Sequence, residues 1–346
     1  MSSELKAVPL GDTGLEASVI GYGTYHLLDK LNAYDAIESL GAAHQAGVTL
    51  FDTSDNYGTE LAIGKAVSEG VLPRDEVVIA TKTGLAATVP EVRVWGDRHA
   101  NTEPSRVRQQ VEKSLWTLGD DVGPIDLYQL HVHDPTVPAV DIASTLNDLI
   151  SEGKILSYGV SNYGAEALRE LIDACDSNGL ARPVSLQPFH NILSSAGTES
   201  AIDLAREHGM TILAHSPLHK GALTNKGVTI LDGVMADADA RYTKPEELEQ
   251  LVPLKVAFES IKLLKEYAAD HDKGLAEMAL AWLAMQENTV VLTACTRPTS
   301  LATAVAAPQW TIDNEGLALI EEVRGSSLVQ VGASKLLSLM RSINAY

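Results

Sequence analysis

Eight short apolar runs recur along this chain, and helix-period segments separate them. In order they are VIGYGTY, VTLFDTS, EVVIATK, IDLYQLH, LSYGVSN, VSLQPFH, MTILAHS and TVVLTAC. The intervening segments carry apolar residues at i, i+3 and i+4, as helices that bury one face do. Alternation of this length predicts parallel strands joined by crossover helices. Eight such units close a barrel more naturally than they extend an open sheet, so the expected fold is α/β, a (β/α)8 TIM barrel. AVPL and LEAS flank Gly11-Asp12-Thr13-Gly14, a turn signal, which predicts a β-hairpin over residues 7–18 ahead of the barrel.

The chain reads as one domain over residues 1–346: the hairpin, a barrel over about 19–310, and a C-terminal extension over 311–346. Four helical runs end on glycines that suit C-caps: Gly47, Gly119, Gly179 and Gly209. Two longer connections, Leu85 to Glu103 and His219 to Pro253, read as loops at the C-terminal face. Connections of that length in a barrel usually act as lids or binding loops. No Gly-x-Gly-x-x-Gly stands between a strand and a helix, which argues against a dinucleotide-binding open sheet.

A net charge of −20 and a pI near 4.8 exclude nucleic acid as an expected partner, because phosphate binding needs a basic surface. Cys175 and Cys295 are isolated and lack metal-ligand spacing, which points to a reducing compartment and no metal. MSSELKAVPL lacks an apolar signal core, and no apolar run is long enough for a bilayer. A cytoplasmic protein with no membrane partner is the expectation.

Several strands end on ionisable side chains. Asp52 closes VTLFD, Tyr57 follows it before a helix, Lys82 closes VVIATK, and His131 closes DLYQLH. Barrel enzymes keep their chemistry at this end of the strands. Singly, such a tyrosine or lysine is more often packed or solvated than catalytic; four at one mouth are not explained that way. A free phenol titrates near about 10 and is a poor acid or base at neutral pH. An adjacent ammonium stabilises the phenolate, and a carboxylate can hold that ammonium in place. With an imidazole to bond an oxygen, the set suits proton exchange during carbonyl–alcohol interconversion.

The strings FDTSDNYGTELAIGKAV, IATK, DLYQLHVHD, GVSN, LQPFHN and HSPL, in this order, resemble the aldo-keto reductase superfamily. The resemblance runs from the hairpin to about Trp310. It implies a barrel closed at its base by the hairpin, and hydride transfer between a nicotinamide and a carbonyl or alcohol carbon. It implies Tyr57 as general acid in reduction and base in oxidation, tuned by Lys82 and Asp52, with His131 orienting the substrate oxygen. Ser161, Asn162 and Gln187 match positions that bond the nicotinamide carboxamide, and amides supply the donors and acceptors this needs. Gly23 and Thr24, with Asp52, match the region of the nicotinamide ribose. His215 stands where relatives usually carry an aromatic stacked on the nicotinamide. Ser216, Leu218 and Lys220 fall where the pyrophosphate passes.

At the adenosine end the pattern departs. Relatives often carry a base near Ser300 and a Glu-Asn pair near Thr303 and Ala304, and this chain has none of them. A 2′-phosphate then loses a charge-assisted partner unless Thr296 and Arg297 replace it. The family leans to NADP(H), and NAD(H) stays open beside it.

Tyr25, Trp95 and His131 are the expected substrate contacts, on a small carbonyl compound, an alcohol or a sugar. His133 and Asp134 read first as a pair bonding the local backbone. LHVHD and HSPLHKGALTNKG resemble the sugar-dehydrogenase branch, which makes an aldose 1-dehydrogenase the alternative within the class. Two rivals lie outside it: a Schiff-base lyase with Lys82 as nucleophile, and a nicotinamide-binding sensor subunit.

Overall fold

The computed structural model describes residues 5–87, 98–194, 197–241 and 245–344. Strands β1 (Ala7–Pro9) and β2 (Glu16–Ser18) pair antiparallel as the expected hairpin. Then follow β3 (Ile20–Gly23), β4 (Leu50–Asp52), β5 (Val78–Thr83), β6 (Leu85–Ala87) and β7 (Arg98–Ala100). The remaining strands are β8 (Ile125–Leu130), β9 (Ile155–Ser161), β10 (Ser185–Gln187), β11 (Thr211–His215) and β12 (Thr289–Thr293). A closed barrel runs β3-β4-β5-β8-β9-β10-β11-β12. All eight expected strands are present in sequence order, and each barrel register recorded is parallel. β10 stops at Gln187, because Pro188 has no N–H to continue the ladder.

The hairpin sits at the N-terminal ends of the strands. Thr211, the first residue of β11, donates its hydroxyl to the Pro9 carbonyl at 2.7 Å and accepts from the Gly11 N–H at 2.9 Å. The helices end where the glycines predicted: Gly47, Gly119, Gly179 and Gly209 all have positive φ.

By contacts the chain divides into two units. The first runs to Pro188 and adds Ser200–Leu213 and Asn288–Val305; it holds the strand sequence through β10 and most of β11, together with β12. The second comprises Phe189–Glu199, Ala214–Glu287 and the chain from Ala306 onward.

Both long connections differ from the loop expectation. The Leu85–Glu103 stretch contains the β6–β7 hairpin, with Leu85 paired to Ala100. The His219–Pro253 stretch is largely helical, in Asn225–Arg241 and the start of Pro245–Asp270. Its buried Val228, Leu231 and Met235 recur three and four apart, a helical signal diluted by surrounding Gly, Thr and Asp residues. The C-terminal extension is helical too, over Asn314–Gly325 and Ser327–Asn344. Within this second unit Arg324 donates to the Asn191 carbonyl and to Glu199, with its guanidinium 4.6 Å from the Trp282 ring centroid.

Candidate active site

The C-terminal ends of β4, β5 and β8 bring four ionisable side chains together. Asp52 is the last residue of β4 and Lys82 the penultimate residue of β5; His131 directly follows β8. Lys82 is fully buried and donates from Nζ to Asp52 Oδ2 at 2.6 Å and to the Thr53 carbonyl at 2.9 Å. Burial pulls the Lys82 ammonium below the ordinary lysine range, and the charge and hydrogen bond of Asp52 oppose that pull. Tyr57 lies in the turn between β4 and the helix Glu60–Ser68, with its ring centroid 5.3 Å from Lys82 Nζ. Its hydroxyl is 3.4 Å from His131 Nε2.

Asp52 is bonded from both flanks. Gln187 Nε2 donates to its Oδ1 at 2.9 Å, and Gln129 Nε2 at 3.2 Å. Gln187 Nε2 also donates to Gln129 Oε1 at 3.0 Å. Both hydrogens of the Gln187 amide are thus committed, and what it can offer a ligand is its Oε1. Ser161 ends β9 and donates to the Gln187 carbonyl at 2.9 Å. Asn162 has φ 55° and donates from Nδ2 to the His131 carbonyl and to Ser161 Oγ, both at 3.0 Å. Ser161, Asn162 and Gln187 therefore form one hydrogen-bonded corner beside His131 and Asp52.

Other expected residues take different positions. Gly23 ends β3 beside Asp52. Thr24 is buried, and its hydroxyl is used within the protein, on the Asp52 carbonyl at 3.0 Å and Thr59 at 2.8 Å. Tyr25 stands edge-on to Tyr57 with ring centroids 4.9 Å apart. Thr296 is half-buried and Arg297 exposed, just before the helix Pro298–Ala306. Trp95 lies outside the described residues. Asp134 accepts from the Thr102 and Thr136 backbone N–H groups and from the Thr136 hydroxyl, the local-backbone role expected of it. A cavity of about 350 Å³ lies there, lined by Thr102, His133, Asp134 and Tyr163 among others, and by none of the expected site residues.

His215, Ser216, Leu218 and Lys220 belong to the second unit. His215 stands edge-on to Phe189 at 5.5 Å, and its Nδ1 is 3.1 Å from Ser216 Oγ. Ser216 and Lys220 have φ of 56° and 55°, and the Leu218 carbonyl accepts from the Gly221 and Leu223 N–H groups. Burial, then the nearby Arg341 guanidinium, lowers the Lys220 ammonium from its ordinary value.

Gln129, Ser54 and Asp55 were not singled out in the sequence, yet all three enter this network. Gln129 was legible: it is a polar residue in an apolar strand, two before His131 and on the same face. Ser54 Oγ is 3.3 Å from His131 Nδ1, and Asp55 Oδ2 accepts from Thr83 at 2.9 Å.

The arrangement places a phenol between an ammonium and an imidazole, beside an amide-rich corner, and it can exchange a proton with an oxygen. A model described as the aldo/keto reductase family matches residues 19–324. The chain is 31% identical to the aldo-keto reductase YhdN of Bacillus subtilis, over 88% of this chain and 89% of that protein. It is 28% identical to an Escherichia coli NADH-specific methylglyoxal reductase, over 92% and 98%. It is 27% identical to an Escherichia coli L-glyceraldehyde 3-phosphate reductase, over 90% of each.

Proposed function

The chain belongs to the aldo/keto reductase family and is an oxidoreductase of that type, and on this premise we propose that it interconverts a small aldehyde or ketone and its alcohol with Tyr57 as general acid and base. The observation that carries the reading is the buried Lys82–Asp52 pair lying 5.3 Å from the Tyr57 ring, with the Tyr57 hydroxyl against His131. In reduction the Tyr57 hydroxyl gives its proton to the carbonyl oxygen; in oxidation the phenolate takes it back. Lys82 stabilises that phenolate electrostatically, and Asp52 holds the ammonium in place. His131 sits close enough to Tyr57 to share the same substrate oxygen.

The donor set suits a nicotinamide cofactor, which supplies or accepts the hydride. Ser161 and Asn162 offer polar groups to its carboxamide, and Gln187 offers an acceptor for the amide hydrogens. Gly23 borders the ribose region, and Tyr25 the substrate side. The sequence resemblance assigns His215 to stacking on the nicotinamide, and Ser216, Leu218 and Lys220 to the pyrophosphate. Arg297 with Thr296 supports NADP(H), because a guanidinium pairs well with a 2′-phosphate. NAD(H) remains a second reading, favoured by the NADH-specific relative.

Relatives named as reductases of methylglyoxal and L-glyceraldehyde 3-phosphate support small, polar carbonyl compounds as the substrate class. Aldose oxidation at C1 is the other direction of the same chemistry. The lyase reading is disfavoured, since the Lys82 amine is sealed from solvent and donates to two oxygens. Among the described residues no helix is long and apolar enough to cross a membrane.

The test is fluorescence titration with NADPH and NADH, followed by turnover on methylglyoxal, glyceraldehyde 3-phosphate and free aldoses. Saturable binding of either nucleotide with carbonyl-dependent oxidation supports the reading. No binding of either sinks it, and binding without turnover moves the sensor reading forward.

A further inference from the structure

Ser54 and Asp55 lie between Asp52 and Tyr57 in the chain, and the proton exchange just described uses neither. Ser54 is buried, and its Oγ has three polar neighbours. They are His131 Nδ1, Asp55 Oδ1 and the Lys82 carbonyl oxygen, each at 3.3 Å. A serine hydroxyl carries one hydrogen and two acceptor sites. A carbonyl can only accept, and so can an ionised carboxylate. A hydroxyl hydrogen placed on the Lys82 carbonyl or on Asp55 turns an Oγ lone pair toward His131, and the hydrogen of that contact then sits on Nδ1.

We propose that Ser54 and Asp55 are positioning residues for His131: Ser54 fixes the Nδ1–H tautomer, and Asp55, through Ser54, supports positive charge on the ring. This deepens the proposed function and rests on it, since it names what His131 presents to the reacting oxygen. In the neutral ring Nε2 is then an acceptor, facing the Tyr57 hydroxyl at 3.4 Å. A neutral His131 therefore accepts from Tyr57 or from a substrate alcohol. Only the doubly protonated ring donates from Nε2 to a carbonyl oxygen. Whatever favours the second proton favours the donor state.

Asp55 is held for this role by the end of β5. Thr83 donates to its Oδ2 at 2.9 Å, and its own N–H bonds the Lys82 carbonyl at 3.0 Å. The charged and titratable groups around it come from every packed element. Lys82 lies on β5, Glu60 on the helix Glu60–Ser68, Arg106 on the helix Pro104–Leu118, and Tyr128 on β8. Burial and, more weakly, Glu60 push the Asp55 carboxyl up to about 6, while Thr83, Ser54 and Arg106 act the other way. Above that pH it is an anion one serine away from the imidazole.

The experiment is a long-range proton–nitrogen NMR titration of the full chain without ligand. The His131 signal is the one among ten histidines that His131→Asn removes. The wild type is expected to show Nδ1–H at pH 8. Ser54→Ala is expected to admit the Nε2–H tautomer, and Asp55→Asn to lower the His131 pKa by about half a unit or more, the sign for losing a nearby anion. A wild-type ring protonated on Nε2 overturns the proposal without recourse to any variant. An unchanged tautomer in Ser54→Ala with an unchanged pKa in Asp55→Asn overturns it as well. Since no turnover is read, failure to reduce carbonyls and failure of this inference are told apart.

Discussion

Lys82 and Asp52 form an ion pair closed off from solvent, with Nζ 2.6 Å from Oδ2 and the two Gln side chains bonded to the other carboxylate oxygen. A buried pair of this kind is weak as a source of stability, because desolvation offsets much of its attraction. Lys82 Nζ lies 5.3 Å from the Tyr57 ring centroid, and in the proposed reaction the use of the pair is to make phenolate accessible.

Stability and activity should therefore separate at this pair. Lys82→Met leaves the Asp52 carboxylate buried without its cation, and is expected to cost about 3–5 kcal/mol. The double variant Asp52→Asn/Lys82→Met removes both charges and should recover most of that loss. Turnover should stay low in both. Denaturant unfolding beside initial rates checks this; a double variant as unstable as the single one would mean the pair itself holds the barrel together.

Tyr57→Phe keeps the ring that packs on Tyr25 and removes only the hydroxyl. Turnover is expected to fall by about 10²–10⁴-fold, the usual contribution of a positioned acid or base. Nucleotide affinity should change little. A rate within a few-fold of wild type would take Tyr57 out of the proton path.

Arg297 is exposed ahead of the helix Pro298–Ala306, and no other base stands near Ser300 in the sequence apart from it. Arg297→Ala should weaken NADPH binding about tenfold, as loss of a charge-assisted bond does, and leave NADH binding alone. Equal losses for the two nucleotides would place Arg297 elsewhere than on a 2′-phosphate.

The barrel was legible because its eight strands lie in short, largely apolar runs, as strands covered on both faces do. The ionisable strand ends were legible for a related reason: Lys82 and Asp52 are polar interruptions of such runs. Ser54 and Asp55 were harder, since polar residues after a strand look like any turn, and only the fold turns Ser54 toward His131, 77 positions away. The helix Asn225–Arg241 was missed because its buried residues Val228, Leu231 and Met235 are few and sparse. For Thr24 and Gln187, side-chain bonds to their neighbours decide what each can offer a ligand, and no strand motif records those.

The helix Glu60–Ser68, which follows the Tyr57 turn, packs on a neighbour with no room to spare. A Cβ added at Gly64 would lie 2.0 Å from the Leu118 carbonyl oxygen, a backbone atom that cannot swing aside. Gly64→Ala must push this helix away from the helix Pro104–Leu118, at a cost of about 1–3 kcal/mol as overpacking does. Thermal unfolding measures the cost. An unchanged midpoint would show that the two helices part freely.

His219 should make the protein sensitive to mild acid. It is buried in the second unit, with Nε2 2.9 Å from the Ala333 carbonyl oxygen, and burial above all pulls its pKa down from 6.5 to about 4. Arg341 and Lys220 lower it further, while the Ala333 bond resists. The folded value lies below the unfolded one, so the unfolded chain takes up the proton first as pH falls. Its stabilising contribution is complete above about pH 6.5 and is lost as pH drops through about 4, on the order of 3 kcal/mol in all. Asp55 runs the opposite way: its folded value is raised, so its contribution is complete below about pH 4 and is lost as pH rises through about 6. Denaturant unfolding of wild type and His219→Gln at pH 7.5 and 4.5 isolates the histidine, because glutamine can still donate to Ala333 and does not titrate. The wild type should lose more stability between those pH values than the variant does, by an amount of that order. Parallel losses would show that His219 carries its proton as easily in the folded chain as in the unfolded one.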